Sequence, residues 1–96
     1  MSKRERRAIH DELVRAENRA AQEAEAKYPI DIYQMPMEKS KNYDWETARA
    51  KHNQEQEKLN LKYREELLRQ YGITEEKLKE IQEEARTEQW PLPPMD

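Results

Sequence analysis

A chain of 96 residues with 18 basic and 21 acidic side chains and 34% hydrophobic residues has room for one domain and a thin core. It has no cysteine and one glycine, which excludes thiolate metal sites, a disulfide framework and glycine-rich phosphate loops. The net charge of -3 is too small to force disorder. No apolar run approaches the length of a signal peptide or membrane span, so a cytoplasmic setting and no membrane partner are expected.

Leu, Ile and Val make up 13 of the 96 residues and there is no Phe. A core this poor in aliphatics leaves an isolated monomer marginally stable, and a partner or self-association would help bury the tyrosines and tryptophans. Charge is uneven along the chain. Residues 1–7 hold four basic and one acidic residue, and residues 73–96 hold three basic and seven acidic, so the two ends can attract each other or separate partners.

Residues 1–27 read as the first helix, rich in Ala, Glu and Arg. Ile9, Leu13, Ala16 and Ala20 recur at helical spacing, and Ala24 and Tyr28 continue the stripe. Alanines permit close helix approach but bury little area, so the second half of this helix should contribute less stability than the Ile9 end. Lys3, Arg4, Arg6 and Arg7 place positive charge against the helix dipole, so the first turn should fray unless an anion or an acidic partner covers it. Those four residues are the candidate nucleic-acid contacts, although Glu5, Asp11 and Glu12 interrupt the patch.

Residues 28–43 contain Pro29 and Pro36, which exclude a continuous helix. Tyr28, Ile30 and Ile32 alternate, then Tyr33, Met35 and Met37 alternate in the other phase, as in an extended crossing that changes face. The segment is too apolar for a free linker. It is read either as a strap completing the core or as a Tyr and Met surface for a partner.

Residues 44–72 form the central helix, capped by Asp44 at the start and stopped by Gly72 at the end. Tyr43 and Ala48 occupy the staple positions, and Ile73 is placed to contact Leu68. Trp45, Ala48, His52, Leu59, Tyr63, Leu67 and Tyr71 share one face, with a gap at Glu55 and Gln56. Leu61 and Leu68 lie off that stripe, which widens the apolar arc enough to touch two neighbours.

Residues 73–89 hold the third helix, with Thr74 as N-cap and Leu78, Ile81 and Ala85 on one narrow face. The short connection forces a sharp turn, as a helical hairpin or a helix-turn-helix corner, and the helix should fold back on the second half of the central one. Six glutamates against three cations between Glu75 and Glu88 discount it as a DNA-recognition helix. The Pro-rich tail, residues 90–96, offers two readings. Pro91 and Pro94 give PxxP spacing, or else Trp90 and Leu92 fold back and staple the core.

Catalytic readings fail on inventory. The two histidines sit on different helices, His52 and Glu55 supply at most two metal ligands, and no hydroxyl lies in a nucleophile context. No catalytic residue, metal or cofactor is expected, and no motif is specific enough to name a family. The chain reads as an all-α protein of three helices: a long antiparallel pair, a shorter third helix, the extended crossing and the tail. Its expected role is non-catalytic protein binding, as a subunit, adaptor or inhibitor. Tyr33, Met35, Met37, Tyr43, Trp45 and Trp90 are the candidate partner contacts. The alternatives are a nucleic-acid accessory protein led by the basic N-terminus, and an acidic mimic of nucleic acid using Glu80, Glu83 and Glu84.

Overall fold

A computed structural model describes residues 1–31 and 41–93. Among the described residues the fold is built of three helices: α1 over Lys3–Lys27, α2 over Trp45–Tyr71 and α3 over Glu75–Thr87. There is no strand among the described residues. The crossing residues Tyr33, Met35 and Met37, and Pro94 of the PxxP pattern, lie outside the described residues.

Each helix starts on a side-chain cap. Ser2, Asp44 and Thr74 accept hydrogen bonds from the backbone N–H groups of Glu5, Thr47 and Lys77, satisfying donors that a helix start leaves free. Ser2 and Glu5 have the spacing of a capping box, a further start signal carried by the sequence. At the other end of α2, Gly72 adopts φ 61° and ψ 37°. The N–H groups of Gly72 and Ile73 both reach the Leu68 carbonyl, so Gly72 and Ile73 close the helix as their sequence predicts.

α1 and α2 run antiparallel. Glu23 and Arg19 of α1 meet Tyr63 of α2, and Lys27, at the end of α1, is 3.7 Å from Glu55, earlier in α2. Ile9, Leu13, Leu67, Leu78 and Ile81 form the core, with Leu68, Tyr71, Ile73 and Trp90 packed around it. This aliphatic cluster sits where all three helices meet. Along the rest of the pair only Ala20, Ala24, Ala48 and His52 are buried. The stripe of small residues therefore does what its spacing implies: it lets the helices approach while removing little apolar area from water.

α3 meets both long helices. Leu78 and Ile81 pack on Leu67 in the second half of α2, as expected, and also on Ile9 and Leu13 of α1, while Arg64 of α2 hydrogen-bonds Glu75 and Gln82; the α1 contact is the part the sequence reading did not foresee. The cause is electrostatic as well as apolar. Lys3 pairs with Glu88, and Arg6 with Glu84 at 3.0 Å, so the acidic end of α3 covers the cations that oppose the α1 dipole. The basic start and acidic finish of the chain are thus joined within one molecule.

Candidate interaction surface

The gap in the α2 stripe is filled by polar contacts. His52 is buried, with Nδ1 placed 3.2 Å from the Tyr28 carbonyl oxygen and Nε2 placed 3.2 Å from Gln56 Oε1. With its proton on Nδ1 the ring donates to that carbonyl and fixes the end of α1 against α2. Glu25, 3.5 Å from the same nitrogen, accepts from the N–H groups of Ile30 and Asp31. His52 thus sits in a satisfied packing position, and the chain leaving α1 is tied down through Asp31.

The proposed partner contacts fall into different surroundings. Tyr43 and Trp45 are half-buried and meet edge to face, with ring centroids 4.8 Å apart. Trp90 is half-buried against the core cluster. It meets His10 edge-on at 5.7 Å, and the Arg7 guanidinium lies 5.8 Å from its ring centre. The reading of Trp90 as a staple thus describes its position, whereas Leu92 is 73% exposed and staples nothing.

Of the four N-terminal cations, Lys3 and Arg6 are engaged by α3 and Arg7 lies over Trp90. The hydrogen bond from Lys3 holds the Glu88 carboxyl below its usual range. On α3, Glu80 pairs with Lys77, Glu83 with Arg86 and Glu84 with Arg6. The three glutamates of the mimic reading therefore all have cationic neighbours.

A groove that the sequence reading did not single out opens between α1 and α2. It holds about 520 Å³ and is lined by Leu13, Ala16, Glu17, Glu57, Asn60, Leu61 and Arg64. Leu61 is 60% exposed. Of the two leucines read as lying off the stripe, Leu68 packs on the core and Leu61 faces this opening. Its off-stripe position was the signal available. Arg64 closes one end, hydrogen-bonded to Glu75 and Gln82 of α3.

Among the described residues no group of three or more His, Asp or Glu side chains is placed to hold a metal ion. Nor is any helix there long and apolar enough to cross a membrane. No family model, curated protein or solved structure matches the chain. The geometry therefore carries the functional reading by itself.

Proposed function

We propose that the chain is a non-catalytic protein-interaction protein, a subunit, adaptor or inhibitor of a larger partner, working in the cytoplasm. The observation that carries this reading is the groove between α1 and α2, which leaves Leu61 in water at the side of a core with few aliphatics to spare. A large apolar side chain left exposed in a concavity is one that a protein partner can cover. A chain without cysteine suits a reducing compartment.

The crossing residues Tyr33, Met35 and Met37, with Tyr43 and Trp45, remain a second candidate surface of the same protein. The nucleic-acid alternative has less support. A phosphate-binding patch needs cations free to face a backbone, and Lys3 and Arg6 already have carboxylate partners.

The full chain, immobilised and exposed to cell lysate with and without nuclease, tests the reading. A discrete protein retained after nuclease is the expected result. Loss of all retained material on nuclease treatment would overturn it in favour of the basic N-terminus.

A further inference from the structure

We infer that the groove between α1 and α2 receives a basic amphipathic helix of a partner protein. This inference rests on the interaction reading above and names the partner's chemistry.

The polar groups left open in the groove have a common sign. Glu17 and Glu57 line it and make no ion pair among the described residues. Asn60 Oδ1 is buried there with no hydrogen-bond partner. The one cation in the lining, Arg64, already donates to Glu75 and Gln82. What remains is an apolar floor of Leu61 and half-buried Ala16, backed by the buried Leu13 and edged by acceptors. An occupant must bring apolar side chains flanked by donors or positive charge.

The form of the occupant follows from the walls. A groove between two antiparallel helices fits the ridges of a third helix, whose own backbone bonds are satisfied internally. α3 already uses the adjoining surface in this way. It buries Leu78 and Ile81 against Ile9, Leu13 and Leu67, and forms ion pairs from its flanks to Arg6 and Arg64. Leu13 and Arg64 are shared by the α3 contact and the open groove, so the groove extends that docking surface. A second copy offering its own α3 is the wrong partner, because that helix is acidic. Residues Glu57 to Arg64 span roughly two turns, about 10 Å. An apolar pair at i and i+3 or i+4 therefore reaches along the floor, with Lys or Arg on either side for Glu17 and Glu57.

Two labelled helical peptides of equal length and the same leucine stripe test this, one flanked by Lys and Arg and the other by Glu. Each is titrated by fluorescence anisotropy against the full chain. The basic peptide is expected to bind with one-to-one stoichiometry and to weaken with added salt, and the acidic one to show no binding. Leu61→Gln and the double variant Glu17→Gln/Glu57→Gln should each raise the Kd about tenfold or more, with helicity by circular dichroism unchanged. Equal binding of both peptides, binding of neither, or binding indifferent to Leu61→Gln would overturn the inference. So would a dimer of the chain that Leu61→Gln dissociates, which would give the groove to a second copy. Lysate capture of a discrete protein by the intact chain is independent of each of these outcomes, so the two readings fail separately.

Discussion

Gln89 lies at φ 54°, in the left-handed region where a Cβ is disfavoured. The position is that of a helix terminator: Trp90 N–H bonds to the Ala85 carbonyl and turns the chain so that the indole lands beside His10. Gln89→Gly should keep that turn and raise stability by up to about 1 kcal/mol, read as a higher urea midpoint with an unchanged slope. The opposite substitution applies at Gly72, where φ is +61° and nothing lies within 4 Å of an added Cβ. Gly72→Ala therefore has no clash to relieve, only the backbone cost, about 1 kcal/mol of lost stability.

Four described side chains have shifted titrations that couple stability to pH. The Thr47 hydroxyl and backbone N–H hold Asp44 below the ordinary carboxylate range, and Lys3 does the same for Glu88. A depressed carboxyl contributes stability above its unfolded value and loses it as pH falls through the folded value. Tyr63 is raised by its hydrogen bond to Glu23, and Tyr71 by burial; those contributions hold below the ordinary tyrosine value and are lost as pH rises through the raised one. The stability these four groups contribute should thus fall at both extremes, below about pH 4 and above about pH 10. Urea midpoints against pH would show this. Asp44→Asn, which keeps a capping acceptor but cannot ionise, should flatten the acid limb.

The helices themselves were legible because the chain announces their ends. Asp44, Gly72 and Thr74 mark boundaries by local chemistry, and the structure puts α2 and α3 between them. The narrow face of α3 was equally clear, and Leu78, Ile81 and Ala85 are all buried. What periodicity does not encode is how α3 seats between its neighbours. Its apolar face packs on Ile9 and Leu13 of α1 and on Leu67 of α2 together, and the long-range pairs of Lys3 with Glu88 and of Arg6 with Glu84 add to the α1 side. The groove was illegible for the same reason, since Glu17 and Glu57 come together only when helices 40 positions apart are paired. These pairs should also differ in strength. Arg6 and Glu84 have side chains 24% and 27% exposed against 55% and 39% for Lys3 and Glu88, so solvent screens the first less. A double-mutant cycle should give a coupling of about 0.5–1 kcal/mol for Arg6 and Glu84 and near zero for Lys3 and Glu88. Raising the salt should shrink the larger value.

At the scale of the molecule the chain is a long body with unequal ends. Its longest dimension is 53 Å and its radius of gyration 16.5 Å, against about 13 Å for a compact domain of 100 residues. One end holds the three-helix cluster of Ile9, Leu13, Leu67, Leu78 and Ile81; at the other, among the described residues, α1 and α2 form an arm sealed by Ala20, Ala24, Ala48 and His52. Burying an alanine removes far less apolar surface than burying a leucine, so the arm should open without the core. Native-state hydrogen exchange measures this directly. Amides of α2 from Ala48 to Gln56 should exchange through local opening, and those from Arg64 to Gln70 only through global unfolding. Leu78→Ala should cost about 2–5 kcal/mol, a large part of the total for a domain this size. It should lower protection of the second group toward that of the first while leaving the first nearly unchanged. Uniform protection along α2, or equal loss at both ends in Leu78→Ala, would show that the arm and the cluster fold as one unit and that the alanine seam is stronger than its buried area implies.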